Sequence, residues 1–146
     1  MGAYDKDLPF LNVRKIARGK YGRVFDELGT FMDNVSEFEA KIKFDKKKVE
    51  RANAFMDGNR VTGGSGAGKM KIHFTNAEFI KKVSQNPDAY YTFIGELEDP
   101  DPETTAANYQ VVIKGVNFDE IPIHAFKVKD TIEIDVPFTF EDWEFL

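Results

Sequence analysis

The segment "SEFEAKIKF", residues 36–44, alternates charged and apolar side chains from residue 37 onwards. The charged positions are Glu37, Glu39, Lys41 and Lys43, and the apolar positions are Phe38, Ala40, Ile42 and Phe44. Successive side chains of a β-strand point to opposite faces, so this pattern predicts a strand with one charged and one apolar face. We expect Phe38, Ile42 and Phe44 to face a hydrophobic core.

A second strand of the same kind is predicted from "KMKIHF", residues 69–74. Met70, Ile72 and Phe74 share one face of this strand, and we expect them to face the core. The other face carries three side chains that are basic or titratable, namely Lys69, Lys71 and His73. Two amphipathic strands in one short chain favour a sheet-based fold over a helical one.

The remaining pattern adds further strands and a helix. In "NAEFIKKVSQNP", residues 76–87, Asn76 is a suitable N-cap, Phe79, Ile80 and Val83 form one helical stripe, and Pro87 ends the helix. Further strands are predicted in "YYTFIGELE", "YQVVIKGVNF", "IPIHAFKV" and "TIEIDVPFTFEDWEF", and a hairpin in "GKYGRVFDELGTF" with its turn at "DELG". The predicted fold class is mostly β: a β-barrel or β-sandwich of antiparallel strands with one flanking α-helix.

The domain organisation that follows is simple. In residues 1–18 the apolar and polar residues do not repeat at the spacing of a strand or a helix, and this segment is predicted to form an extended N-terminal arm. Residues 19–146 are predicted to form one β-rich domain. The basic run "DKKKVER", residues 45–51, is interpreted as a solvated loop.

Composition excludes several classes of protein. The 146 residues carry a net charge of −5, which argues against a passive nucleic-acid binder because such proteins usually have a basic footprint. The absence of cysteine excludes disulfides and thiolate metal sites. No apolar run is long enough for a signal peptide or a membrane span, so we expect a soluble cytoplasmic protein without a membrane anchor.

The stretch "GGSGAGKMK", residues 63–71, has the glycine and lysine spacing of a phosphate-binding loop. Met70, however, stands where such a loop needs Ser or Thr to hold the metal, and strand periodicity follows where a helix is required. We therefore interpret the glycines as a flexible hairpin connection.

Other candidate chemistry is equally weak. His73 and His124 lack metal-ligand spacing, and the acidic residues between Glu96 and Glu103 lack the EF-hand pattern. No nucleophile is paired with a base, so we expect no catalytic residue, no metal, no cofactor and no enzyme activity.

The charged strand faces have two interpretations: they meet bulk water, or several copies join edge to edge so that these faces line a shared channel. Taken alone, the pattern favours bulk water.

A family resemblance favours the second interpretation, in which the charged strand faces line a shared channel. The C-terminal run "VNFDEIPIHAFKVKDTIEIDVPFTFEDWEF", with "GKYGRVF" and "RVTGGSGAGKMKIHFTNAEFI" before it, resembles the tail tube proteins of contractile-tailed phages of Gram-positive bacteria. That family includes PBSX-type defective prophages and phage-tail-like (R-type) bacteriocins. The resemblance implies that residues 19–146 are a tail tube β-barrel domain and that the protein is a structural subunit. Such subunits assemble into hexameric rings that stack into a hollow tube inside a contractile sheath.

The resemblance also implies roles for particular residues. The charged strand faces would line the lumen, and the residues concerned are Glu37, Glu39, Lys41, Lys43, Lys69, Lys71 and His73. Contact between rings would involve the arm and the loop at residues 45–60, with Leu8, Phe10, Lys46, Lys47 and Lys48 as the candidate residues.

Partners and location follow from the same resemblance. The implied partners are further copies of the chain, the sheath protein, baseplate and tail terminator proteins, and DNA passing through the lumen of a phage. Assembly would take place in the cytoplasm of the producing bacterium, and the subunit would then be part of the virion or bacteriocin particle. The alternatives are a monomeric small-ligand-binding β-barrel, a type VI secretion-like tube subunit, and a nucleotide-binding enzyme that uses residues 63–69.

Overall fold

The computed structural model describes residues 10–146, and within them the fold is mostly antiparallel β-sheet with one α-helix, which confirms the predicted fold class. The strands are β1 (Gly22–Phe25), β2 (Val35–Val49), β3 (Gly58–His73), β4 (Tyr91–Leu97), β5 (Tyr109–Phe118), β6 (Glu133–Phe140) and β7 (Asp142–Phe145), and the helix is α1 (Glu78–Gln85). Short 3₁₀ helices occur at Val13–Lys15, Gly19–Tyr21 and Pro102–Ala107.

The sheet is bent into two layers that share strand β5. Its strands follow the order β1-β4-β5-β6-β3-β2, and β7 also pairs with β5. Residues 109–113 and Val116 of β5 pair with β4, residues 111–114 pair with β7, and Asn117 and Phe118 pair with β6. Gly115 lies at this corner with a φ of +68°, and a Cβ on it would come within 2.9 Å of the Cβ of Glu141. Only glycine fits this corner, which lets one strand serve both layers.

The hydrophobic core lies between the two layers. From the β3–β6 layer come Met70, Ile72, Ile134, Val136, Phe138 and Phe140, and from the β4–β5 layer come Tyr91, Phe93, Ile113, Val116 and Phe118. Burying this much apolar surface drives folding, and the rings of Phe79 and Phe118 add an edge-to-face contact at 5.4 Å that fixes helix α1 to the core.

Two glycines in β3 are required by close packing. A Cβ on Gly66 would lie 2.5 Å from the ring of Phe140, and one on Gly68 would overlap the backbone carbonyl oxygen of Glu39 and lie 2.6 Å from the ring of Phe138. The rings therefore lie directly on the backbone of β3. The prediction that residues 63–68 form a flexible connection is wrong: they are strand residues, paired with β2 throughout and with β6 from Gly66 onwards. This placement also leaves no phosphate-binding loop between a strand and a helix.

Two further predictions need correction. The run at residues 45–51 is not a loop, because β2 continues to Val49 and only residues 50–57 separate it from β3. The segment "IPIHAFKV", residues 121–128, is not a strand. Pro122 lacks an N–H donor for a ladder, and the side chains of Phe126 and Val128 are largely exposed rather than packed.

The predicted helix is confirmed at Glu78–Gln85. The N-cap residue is Ala77, which makes no side-chain capping hydrogen bond, so the prediction of Asn76 as the N-cap is wrong by one residue. The side-chain oxygen of Asn76 still accepts a hydrogen bond from the backbone N–H of Glu78 at 3.0 Å, which satisfies a donor at the helix start. Val83 is buried, and Phe79 and Ile80 pack against the core. The helical stripe therefore faces the sheet as the spacing predicts.

The predicted turn at "DELG" is also present. The carboxylate of Asp26 accepts hydrogen bonds from the N–H groups of Leu28 and Thr30, and Gly29 has a φ of +79°. The chain that follows makes only an isolated bridge, between Phe31 and Phe25. Strand β1 takes β4 as its main partner instead, so the predicted hairpin is shorter than the pattern suggests.

Candidate functional site

One face of the β2–β3–β6 layer carries most of the charged side chains singled out in the sequence. The register pairs Glu37 with Lys71 and Glu39 with Lys69, so these residues share one face. We call this surface the charged face, and its predicted members are Glu37, Glu39, Lys41, Lys43, Lys69, Lys71 and His73. The structure therefore brings together all seven side chains that were predicted to line a channel.

Strand β6 adds two carboxylates to the charged face that the sequence reasoning missed. Asp135 pairs in register with Lys71, and Glu133 with His73. The signal was present, because in "EIDVPFTF" these acidic residues alternate with buried Ile134 and Val136. The same period-two argument that was applied to β2 would have found them.

The charged face is balanced in sign and bound together by ion pairs. Lys69 Nζ lies 3.4 Å from Glu37, and Lys71 Nζ lies 3.8 Å from both Glu133 and Asp135. Lys41 lies 3.8 Å from Glu39. Four lysines thus face four carboxylates across three strands, in addition to His73. Such exposed pairs stabilise the fold little, but they leave the surface close to neutral.

The residues predicted to face the core divide into three groups. Met70 and Ile72 are buried, and Phe38 and Ile42 are partly buried against the core. Phe44 and Phe74 are 57% and 42% exposed, so within a single chain neither is a core residue. Phe44 lies beyond the point where β6 ends, and Phe74 follows the last residue of β3, so neither is covered by the opposite layer.

The outer part of the β2–β3 hairpin projects beyond the sheet. Strand β6 pairs with β3 only from Gly66 onwards, so residues 43–65 form a two-stranded ribbon that we call the projecting hairpin. It reaches roughly 23 Å past the end of β6 at about 3.3 Å per residue. Lys46, Lys47 and Lys48 are exposed on it, and Phe55 and Met56 are exposed at its tip.

The N-terminal arm falls partly outside the described residues. Leu8 belongs to residues 1–9, which lie outside them, and Phe10 is 71% exposed. The rest of the arm is held in place: Thr104 donates a hydrogen bond from its hydroxyl to the carbonyl of Arg14, and Arg14 also lies 3.6 Å from Asp101. The described part of the arm is therefore docked on the turn between β4 and β5.

A buried carboxylate anchors this docking. Asp99 is 1% exposed and accepts two hydrogen bonds from the guanidinium of Arg18, at 2.7 and 2.8 Å. The Arg18 side chain holds the pKa of Asp99 well below its ordinary value, because it stabilises the charged form. The hydrogen bond to Asp99 likewise raises the pKa of Arg18. The acidic turn is thus paired with arginines, and residues 10–146 contain no cluster able to hold a metal ion.

A groove opens between the two layers beside β2. It has a volume of about 590 Å³ and is lined largely by apolar side chains, including Phe38 and Ile42 from one layer and Val111, Trp143 and Phe145 from the other. Strand β2 pairs only with β3 among the described strands, so the outer edge of a 15-residue strand borders this groove without a neighbour. An unpaired edge of this length is suited to pairing with another chain.

No helix within the described part of the chain has the length and apolar character needed to cross a membrane.

These features match a known family of structural proteins. Residues 10–146 match the family described as phage tail tube proteins, and the chain belongs to that family. It is a structural tail tube subunit and not an enzyme. Its relatives include the phage-like element PBSX protein XkdM and the uncharacterized protein YqbM, both of Bacillus subtilis (strain 168). Each is 30% identical over 139 residues, covering 92% of both chains.

Solved structures share the fold at very low sequence identity. A chain of the sheath-tube complex of an extracellular contractile injection system (PVC) in its extended state aligns with a TM-score of 0.70 and 6% identity, covering 92% of this chain and 95% of that one. A chain of the virion of a native gene transfer agent particle aligns with a TM-score of 0.62 and 12% identity, covering 90% and 99%. The same two-layer fold is thus used in other tailed particles and injection systems.

Proposed function

We propose that this subunit assembles into hexameric rings that stack into the inner tube of a contractile tail. The observation that carries the proposal is the unpaired outer edge of β2, which lies beside an open apolar groove. Backbone hydrogen bonds from a neighbouring copy would satisfy this edge, and the neighbour's apolar side chains would fill the groove. Repeating the same contact around an axis closes a ring in which the β2 edge of every copy is paired.

In such a ring the charged face lines the lumen. Its side chains are exposed, whereas the opposite face of the same strands is buried in the core, so the face without apolar cover is the one that meets a water-filled bore. The lumen-facing residues would be Glu37, Glu39, Lys41, Lys43, Lys69, Lys71 and His73, together with Glu133 and Asp135. A bore of this kind carries paired charges of both signs, so a passing strand of DNA would meet little net attraction.

Contacts between rings would come from protruding elements. The projecting hairpin, with Lys46, Lys47 and Lys48, and the arm, with Leu8 and Phe10, are the candidates. The sheath protein would cover the outside of the tube, and baseplate and terminator proteins would bind its two ends. Support comes from the fold neighbours, which include chains of a sheath-tube complex and of a baseplate. Assembly would take place in the cytoplasm of the producing bacterium, and the finished tube would be part of the particle.

Negative-stain microscopy of the concentrated protein tests this proposal. The expected result is annuli with sixfold symmetry, or hollow rods built from them. A mixture with sheath protein should then give rods of larger diameter. Monomers that form neither annuli nor rods at high concentration, even when tube fragments are added as nuclei, would contradict the proposal.

A monomeric barrel that binds a small apolar ligand is the second candidate, because the same groove is large enough for one. Sedimentation velocity separates the two functions. The tube proposal predicts species larger than the 16.6 kDa monomer whose share grows with concentration, whereas the ligand barrel predicts a monomer throughout.

A further inference from the structure

The tip of the projecting hairpin contains an Asp–Gly pair, Asp57 and Gly58. Asp57 is the only aspartate or asparagine of the chain that is followed by glycine. It is the last residue of the loop at residues 50–57, all of which is exposed, and Gly58 is the first residue of β3. The pair therefore lies where an uncovered loop meets the end of a two-stranded ribbon.

The fold does not require glycine at position 58. Its φ is outside the left-handed region, and a Cβ there would meet the flexible side chain of Arg51 at 3.4 Å, which is an ordinary contact. Gly68 and Gly115 differ, because close packing excludes a side chain at the first and a φ of +68° disfavours one at the second. Glycine at position 58 instead leaves its backbone nitrogen unshielded by a side chain of its own.

The carboxyl group of Asp57 is not held by the fold. It makes no hydrogen bond or ion pair with the described part of the chain. The carboxylate of Asp26, by contrast, accepts hydrogen bonds from two backbone N–H groups in its own turn. The nearby Arg51 side chain donates to the carbonyl of Met56 at 3.1 Å rather than to Asp57. The side chain of Asp57 can therefore turn towards the neighbouring backbone.

We propose that Asp57 and Gly58 form an autocatalytic modification site at which Asp57 converts to isoaspartate. The backbone nitrogen of Gly58 attacks Cγ of the protonated Asp57 side chain, and a new N–Cγ bond closes a five-membered succinimide ring. The nitrogen loses its proton and the carboxyl group loses its OH, so one water molecule leaves. The reaction needs no enzyme or cofactor, because the two reacting groups are already neighbours in the chain.

Water then opens the ring at either of its carbonyl carbons. Attack on Cγ breaks the N–Cγ bond and restores aspartate. Attack on the main-chain carbonyl carbon of Asp57 breaks its bond to the nitrogen of Gly58, so the main chain then runs through Cβ and Cγ. The isoaspartate keeps the atoms and the charge of Asp57, but it lengthens the main chain by one carbon directly before Gly58, which pairs with Val49. We expect the end of the ribbon to lose its native register.

A second exposed aspartate, Asp88, provides an internal comparison. It also lies in a turn, but Ala89 follows it, and the N–H of Ala89 donates a hydrogen bond to the carbonyl of Asn86 at 3.2 Å. The methyl group and the hydrogen bond both hinder attack by this nitrogen. Asp88 should therefore remain aspartate while Asp57 converts.

Incubation of the unassembled full-length subunit in heavy-oxygen water at neutral pH tests the proposal. Ring opening incorporates the label, and fragmentation of the peptides by mass spectrometry locates the label and identifies isoaspartate. Asp57 should gain label at least about ten times faster than Asp88, because ring closure depends on the positions of the reacting groups. Deamidation of Asn53 or Asn59 is distinguished from this reaction, since it also changes the mass in ordinary water.

Two variants change the reaction and should leave the fold intact. Asp57→Glu keeps the charge but would need a six-membered ring, and Gly58→Ala places a methyl group beside the attacking nitrogen. Each should lower the rate of label uptake at position 57 about tenfold or more. Thermal melts should match wild type, because Asp57 is exposed and the structure has room for a Cβ at Gly58.

Comparison with the unfolded chain tests whether the fold leaves the pair free to react. In guanidinium chloride nothing restrains residues 57 and 58, and the folded subunit should take up label at position 57 at a rate within about tenfold of the unfolded one. A larger difference would show that the fold protects the pair, and it would overturn the proposal.

Two further results would also overturn it: label uptake at Asp57 that is no faster than at Asp88, or equal uptake in wild type and Gly58→Ala. All of these measurements use the unassembled subunit, so the proposed ring and tube are neither required by them nor contradicted by their outcome.

Discussion

The two halves of the β2–β3 hairpin belong to the same pair of strands but have very different surroundings. In the inner hairpin, residues 35–42 and 66–73, β3 has β6 as a second neighbour and its apolar face is covered by the other layer. In the projecting hairpin the ribbon has two strands only, and Phe44, Val49 and Val61 are exposed. The alternation of charged and apolar residues continues only to Phe44, and beyond residue 42 the other layer no longer covers the apolar side chains of the ribbon.

This difference supports the proposed assembly with other copies of the chain. An isolated two-stranded ribbon is at best marginally stable in water, and exposed apolar side chains on it favour association. The inner hairpin resembles an ordinary domain core, whereas the projecting hairpin resembles half of an interface. Substitutions in the two halves should therefore affect different properties: folding in the first and assembly in the second.

The largest difference is expected between Phe138→Ala and Phe44→Ala. Phe138 is 1% exposed, so its truncation leaves a cavity and should lower the free energy of unfolding by about 3–5 kcal/mol. Phe44→Ala in the projecting hairpin should change it by no more than about 0.5 kcal/mol. Urea unfolding of the unassembled subunit measures both. Equal losses for the two variants would show that the projecting hairpin is packed within a single chain.

Glycine substitutions give a smaller but sharper contrast. Gly68→Ala forces a Cβ against the backbone carbonyl oxygen of Glu39 and the ring of Phe138, which should cost about 1–3 kcal/mol of unfolding free energy through overpacking. Gly63→Ala meets only Asp45 Oδ2 at 4.0 Å, so it should cost no more than about 0.5 kcal/mol. Urea unfolding again compares them. A tolerated Gly68→Ala would contradict the close packing of both β2 and Phe138 against this part of β3.

The described part of the N-terminal arm offers a third contrast. Like the projecting hairpin it is largely exposed, but it is anchored by the buried carboxylate of Asp99. Asp99→Asn should lower the melting temperature at pH 7, because Arg18 loses its charged partner. The pKa of Asp99 is lowered in the folded state, so its stabilising effect is complete above its ordinary value of about 3.9 and disappears as the pH falls through the folded pKa.

Melting curves from pH 7 to pH 2 test the sign of this effect. The difference in melting temperature between wild type and Asp99→Asn should stay constant down to about pH 5 and become smaller below about pH 4. A gap that remains constant over the whole range would mean that the ionised carboxylate is not what anchors the arm.

The smallest effect is expected for Lys41→Ala on the charged face. Lys41 is exposed and its only ion pair among the described residues is a 3.8 Å contact with Glu39. Its removal should change the free energy of unfolding by no more than about 0.5 kcal/mol, and annuli and rods should form as in wild type. A large loss of stability would mean that the charged face is packed in the subunit.

Period-two alternation predicted the inner hairpin, strand β6 and the charged face, because burial on one side imposes that period. Helix α1 was predicted from its apolar stripe, although its N-cap is Ala77 and not Asn76 as predicted. The glycines of β3 were wrongly predicted to form a flexible connection. Glycine is needed at positions 66 and 68 because of contacts with the rings of Phe140 and Phe138, which lie about 70 residues further along the chain. The burial of Asp99 was also missed, because its partner Arg18 is 81 residues away.

Hydrogen exchange tests the central claim most directly, because it follows the two halves of the hairpin in the same sample. In the unassembled subunit, residues 66–73 should exchange slowly and residues 43–65 much faster, as expected for a ribbon without cover. In assembled rods both segments should be protected. Residues 43–65 that exchange equally fast before and after rods form would contradict the account, since these residues would then take no part in the assembly.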